Sequence, residues 1–250
     1  MNSGFSLKSR IQFRDLDQRR DQWVSVRNQP LAQARFEELI SLWGRQNCAL
    51  EDCDHPNLWN ADILDENRAK QFDYHAKAAR HLISFVQTKR HLALQDLLEL
   101  HGLVISGNPQ QGTLRNARIK PLVDYHQPVE SEILAELVAN ALQWFGSDSF
   151  YEIHEVEQGA LSLIKLLDLL PFQQENGKTL RLAANFFLLR SDFPPAVIAA
   201  DRAEQYRSAI GNALKMDTQP LVDLLAASVL ESLCHCLGEA AQTLAFTILT

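Results

Sequence analysis

The stretch LLPFQQENGKTLRLAANFFLL, residues 169–189, decides how the chain is read. A rigid Pro-Phe step and a short polar run containing Gly177 stand between two segments that are apolar on almost every side. The segment before it, GALSLIKLLDLL (159–170), is interrupted only by Lys165 and Asp168; the one after it is KTLRLAANFFLL (178–189). Helices greasy all round belong at the centre of a helical domain. Their connection is therefore forced close to the core, where buried backbone N–H and C=O groups need partners. Asn176-Gly177 suits a tight turn with positive φ, and Lys178 would then open the second helix. The free N–H groups and positive dipole end of that helix face the loop, with Lys178 and Arg181 three residues apart on one side, which is a geometry for anions. A plain turn between two core helices, with surface Lys and Arg, fits the same spacing.

Working outward, helical period dominates. Residues 31–44 place Leu31, Ala34 or Arg35, Leu39 and Trp43 on one face, with Gly44 as a stop. Helices are expected over 65–87, 91–101 (ending at Gly102), 129–145, 155–170, 178–190, 195–213 and 219–237. Between them, residues 106–128 hold Gly107, Pro109, Gly112, Pro121 and Pro128 and read as a long loop with a hairpin-like excursion. A connection this long inside a domain is often functional. The fold class is all-α: a helical bundle around a central buried pair. The expected parts are an N-terminal helical region (1–88) packed on a core (89–225) and a C-terminal helical tail (226–250), together one compact unit.

Composition narrows the function. With 46% apolar and 22% charged residues the chain can bury a real core. Its 24 Lys and Arg against 31 Asp and Glu leave a formal charge of -7, which argues against a general nucleic-acid binder. The N-terminal arginines (Arg10, Arg14, Arg19, Arg20, Arg27) are interleaved with Asp15, Asp17 and Asp21, as on a solvated helix face. The start has no apolar run of the signal kind, and the greasy run Leu182–Leu189 is too short to span a bilayer. A cytoplasmic protein with no membrane partner is expected. Cys48, Cys53, His55 and the Cys234-His235-Cys236 run hold zinc-type ligands without a zinc-knuckle spacing, so buried free thiols are expected and no metal. Trp23, Trp43, Trp59 and Trp144 are expected to anchor helix packing.

Leu170-Pro171-Phe172-Gln173-Gln174-Glu175-Asn176-Gly177-Lys178-Thr179-Leu180-Arg181 resembles the signature of the Fic (Fido) family, H-P-F-x-[D/E]-G-N-G-[R/K]-x-x-R. Pro171, Phe172, Asn176, Gly177, Lys178 and Arg181 match. The downstream SDFPPAVIAADRAEQYRSAIGNAL (191–214) is similar to the segment that follows the motif. Upstream, GTLRNARIKPLVDYHQP (112–128) resembles the family's flap, a β-hairpin that aligns a target peptide. The resemblance covers roughly residues 90–225. It implies a mostly helical fold that transfers a nucleotide monophosphate, usually AMP from ATP with Mg²⁺, to a hydroxyl of a target protein. It also implies target contact at Gly112, Thr113, Leu114 and Arg115, and nucleotide or anion contact at Asn176, Gly177, Lys178 and Arg181.

Three departures fall on the chemistry. Leu170 stands where the family has its general base, and an aliphatic side chain accepts no proton. Gln174 stands at the metal-ligand position, where a neutral amide substitutes poorly for a carboxylate. Glu175 replaces the first glycine and puts negative charge where phosphate approaches; a pair of unit charges ~4 Å apart at an effective dielectric of ~20 is worth roughly 4 kcal/mol. The family's inhibitory-helix motif, [S/T]-x-x-x-E-[G/N], is not found, and Glu175 is expected to lie near Lys178 or Arg181 instead. The expected function is a degenerate family member, a binding or regulatory module with a residual anion or nucleotide site and a partner protein at the flap. One alternative is a divergent nucleotidyl- or phosphotransferase using ATP and Mg²⁺ and a base such as His126 or His154. The other is a helical interaction domain with a vestigial site.

Overall fold

Two helices that are apolar on every side must be surrounded, and the architecture follows from that requirement. The structure, a computed structural model, describes residues 7–50, 66–88 and 91–239. In chain order the helices are α1 (Leu7–Val26), α2 (Pro30–Ala49), α3 (Glu66–Val86), α4 (Leu94–Ser106) and α5 (Ser131–Phe145). They continue with the single turn α6 (Asp148–Tyr151), then α7 (Glu155–Leu169), α8 (Asn176–Arg190), α9 (Ala203–Ala213) and α10 (Gln219–Leu237). The antiparallel pair α7 and α8 forms the centre. Helices α3 and α4 cover α8, while α5 and α10 cover α7. Helices α1, α2 and α9 lie against α10.

In α8 the run Lys178–Leu188 is buried throughout. Phe186 and Phe187 meet Phe85, Phe145 and Phe150 in edge and stacked contacts. Each such side chain contributes about 1.5–3 kcal/mol by leaving water. Helix α10 is long and apolar enough, by length and composition, to cross a membrane, a run longer than Leu182–Leu189. Most of it is buried inside the fold, as in a core helix.

Several boundaries differ from expectation. Helix α2 passes through Gly44, with Leu39 and Trp43 buried, and Leu31 is exposed. Helix α4 passes through Gly102 and stops at Gly107, which takes the left-handed conformation. A Cβ at Gly102 would come within 2.5 Å of Asn108 O, and one at Gly112 within 1.7 Å of Leu98 O. This pair of glycines lets the 108–112 segment lie directly on α4. The helix expected over 195–213 begins only at Ala203; Pro194 and Pro195 precede it, and Asn185 Oδ1 accepts a bond from Ala196 N at 2.6 Å. Trp23 and Trp43 are buried anchors, whereas Trp144 is 40% exposed. Trp59, Cys53 and His55 lie outside the described residues.

No strand occurs among the described residues, so the flap is not a β-hairpin. Arg115 takes the place of a ladder. Its buried guanidinium donates to the carbonyls of Leu170 (2.7 Å), Ala117 (3.1 Å), Val129 (2.6 Å) and Leu169 (3.3 Å). Pro121 and Pro128, without N–H groups, could not have completed strand pairing.

Candidate active-site loop

Helix α7 ends because Leu170 turns into the left-handed region (φ 45°, ψ 67°) while its N–H still reaches Leu166 O. A leucine there is strained by roughly 1–2 kcal/mol. Burial offsets this: Leu170 is only 2% exposed. The loop then folds under its own side chains. Asn176 Oδ1 accepts from Phe172 N at 2.9 Å and Asn176 Nδ2 donates to Phe172 O at 2.7 Å. The buried Phe172 ring stacks on His101 of α4 at 3.8 Å. Burial lowers the His101 pKa to about 4, so the imidazole is neutral, and its Nε2–H donates to Gln174 O at 3.2 Å. Pro171 is buried, and its carbonyl accepts from Arg115 N at 2.9 Å.

The second positive φ falls on Glu175 (φ 59°), at the N-cap of α8, and not on Asn176 or Gly177, which already belong to the helix. The Glu175 side chain does not cap the helix. It folds back on Lys178, Oε2 to Nζ 2.9 Å, so the expectation that Glu175 lies near one of the two cations is met at Lys178. Lys178 is buried, and so is Arg181.

Arg181 is turned towards α2 and α9. It donates through Nε to Asn47 Oδ1 and through Nη2 to Asn47 O at 2.9 Å. Tyr206 OH accepts from Nη1 at 3.4 Å, and the guanidinium lies 5.3 Å from the Tyr206 ring centre. Asn47 Nδ2 donates in turn to Lys178 O at 3.0 Å and to His75 Nε2. Burial first, then the charges of Arg181 and Lys178, lower the His75 pKa to about 3. Asn47 and His75 were missed in the sequence. The available signal was a polar residue continuing an apolar stripe, Leu39, Trp43, Asn47, at helical spacing.

A cleft of about 350 Å³ opens over the loop, bordered by Cys48, Lys70, Tyr74, His75, Gln174, Glu175 and Lys178. Gln174 extends its exposed side chain there. Thr113 is exposed and Leu114 half-buried on the flap, while Arg115 points inward. The two histidines weighed as substitute bases stand elsewhere. His126 Nδ1 accepts from Leu122 N and its Nε2 donates to Asp168 O at 2.9 Å. His154 caps α7, accepting from Val156 N, and stacks on Phe13.

The donor set does not fit Mg²⁺. Gln174 is an amide, and the nearby carboxylate of Glu175 is engaged by Lys178. Among the described residues, Asp17, His154 and Glu155 stand close enough together for a metal. Nδ1 of His154 accepts the capping bond from Val156 N–H, and Nε2 faces Asp17 at 3.6 Å and Glu155 at 3.9 Å, away from the loop. Cys48, Cys234 and Cys236 are buried, and the latter two are free thiols.

No family model matches the chain. In sequence it is 29% identical over 153 residues to "Protein adenylyltransferase fic-1" of Caenorhabditis elegans, covering 60% of this chain and 30% of that protein. To "Protein adenylyltransferase Fic" of Drosophila grimshawi it is 31% identical over 150 residues, 60% of this chain and 31% of that protein. The chain thus spans about 30% of the length of these relatives. In structure it resembles C. elegans Fic-1 (residues 134–508) with a TM-score of 0.78, at 22% identity over 92% of this chain and 71% of that one. A Fic-domain-containing signaling protein from Bacteroides thetaiotaomicron gives a TM-score of 0.73, at 18% identity over 92% and 99%.

Proposed function

We propose that the chain is a degenerate member of the Fic (Fido) family, which it resembles in sequence and fold: a binding or regulatory module with a residual anion or nucleotide site, without the transfer of AMP to protein. The observation that carries this is Leu170, buried at the position of the base with its backbone turned left-handed. A general base contributes typically 10²–10⁴-fold, and among the described residues no titratable side chain takes its place. His126 engages both of its nitrogens away from the loop, His154 stands at the start of α7 with Nδ1 in the cap, and His75, with its pKa near 3, is a weak proton acceptor. The poor fit of Gln174 and the Lys178-paired Glu175 to Mg²⁺ supports the same reading. A protein partner at the flap belongs to the proposal, through the exposed Thr113 and the outer edge of 116–120.

The test is transfer of label from α-labelled ATP to lysate proteins, with Mg²⁺, by the chain and by its Arg181→Ala and Leu170→His variants. None is expected to label, since Gln174 and Glu175 remain in the Leu170→His variant. Labelling by the unaltered chain that Arg181→Ala abolishes would establish a transferase and overturn the proposal. ATP binding read as thermal stabilisation is expected to be weak and unaffected by Mg²⁺.

A further inference from the structure

We infer that Glu175 is a built-in counter-anion: it must swing off Lys178 before any external anion can enter the cleft. This rests on the reading of the loop as a residual anion site. The ordering of the pair supports it. The Glu175 side chain is 29% exposed and that of Lys178 only 7%, with 2.9 Å between their charged ends. The ammonium therefore lies beneath the carboxylate, and an anion arriving through the cleft must displace that carboxylate to reach it. Lys70 and Tyr74 on the opposite wall leave a cleft of about 350 Å³ in front of the pair.

The exchange needs no backbone rearrangement. Glu175 makes no capping bond to α8, so rotation of a partly exposed side chain releases it. An anion that replaces it gains the Lys178 ammonium and the positive end of the α8 dipole. Two anions cannot share this place, so ligand occupancy and the position of Glu175 are mutually exclusive. The ligand class is a small phosphate-bearing anion, and its affinity is set by competition with a tethered carboxylate.

Isothermal titration of the whole chain with inorganic pyrophosphate at low ionic strength tests this. The variants are Glu175→Gln, Glu175→Gly, Lys178→Ala and the double variant Glu175→Gln/Lys178→Ala. The left-handed backbone at 175 suits glycine, so Glu175→Gly keeps the loop's geometry; thermal unfolding checks that each variant folds. Both single Glu175 variants are expected to bind about tenfold tighter than the unaltered chain, equivalent to ~1.4 kcal/mol, and the double variant to lose the gain. Glu175 variants that bind no tighter, while Lys178→Ala weakens binding, would overturn the counter-anion role and leave the anion site standing. A gain that survives in the double variant would also overturn it. Absence of pyrophosphate binding in every form would remove the anion site itself.

Discussion

Asn176 holds the peptide groups of Phe172 from both sides, accepting from its N–H at 2.9 Å and donating to its carbonyl at 2.7 Å. The side chain that the sequence resemblance assigns to nucleotide contact thus closes the loop on itself. Asn176→Ala leaves a buried donor and a buried acceptor unmatched, each costing about 1–3 kcal/mol. A loss of about 2–4 kcal/mol in urea unfolding is expected. A loss below ~1 kcal/mol would show that water takes over both groups.

Asn47 is the junction between α2, α3 and α8, bonded to Arg181, Lys178 O and His75. Asn47→Ala removes these bonds together beside a buried guanidinium. Breaking a partner away from a buried charge costs about 3–5 kcal/mol, and a fall in unfolding free energy of about 3 kcal/mol is expected by chemical denaturation.

Acid should destabilise the protein through its buried histidines. His75 and His101 have pKa values lowered from 6.5 to about 3 and about 4, chiefly by burial. Below pH 6.5 the unfolded chain takes up these protons and the folded chain does not, so stability falls with pH, by about 1.4 kcal/mol per unit for each histidine at full slope. The fall from each ends at its folded pKa. Glu157 opposes it: burial raises its pKa from 4.5 to about 7, so its proton stabilises the fold at low pH and that contribution is lost as pH rises through 7. Between pH 4.5 and 6.5 these two histidines act one way, as does His154, whose pKa burial also lowers, and Glu157 acts the other. Unfolding free energies measured across this window should slope upward with pH, and His101→Gln should reduce the slope.

Arg115→Met removes donors from four carbonyls and keeps an apolar stem. A destabilisation of about 2–4 kcal/mol is expected, with faster hydrogen exchange across 113–130 than elsewhere. Uniform exchange across the chain would show that the flap holds without it.

The central placement of α7 and α8 was legible because apolarity on all sides leaves a helix one environment. The pairing of Glu175 with Lys178 was legible because three residues in a helical first turn bring side chains together. The site of positive φ was not. Asn-Gly is the common turn signal, yet here Asn176 is needed as the clamp on Phe172, and the strained conformations pass to Leu170 and Glu175. The Arg181 contact joins residues 134 apart in sequence. No local rule pairs residues so far apart, and the only trace was a polar residue in an apolar stripe. The flap misled for a related reason: Arg115 bonds the carbonyls of Ala117 and Val129 near its two ends, while Leu122 N–H donates to His126 Nδ1 and His126 N–H to Val123 O, with no neighbouring strand among the described residues.

That arginine has a consequence for how the chain is tied together. Arg115 joins positions 14 residues away (Val129) and 55 away (Leu170) through one group. The guanidinium acts as a reversible cross-link that closes a small ring and a large ring at once. Closing the larger ring alone costs about 1.2 kcal/mol more chain entropy than closing the smaller, by the logarithm of their lengths. The small ring pre-forms at lower entropic cost, so folding should knot the flap to Arg115 first and tie it to the end of α7 afterwards.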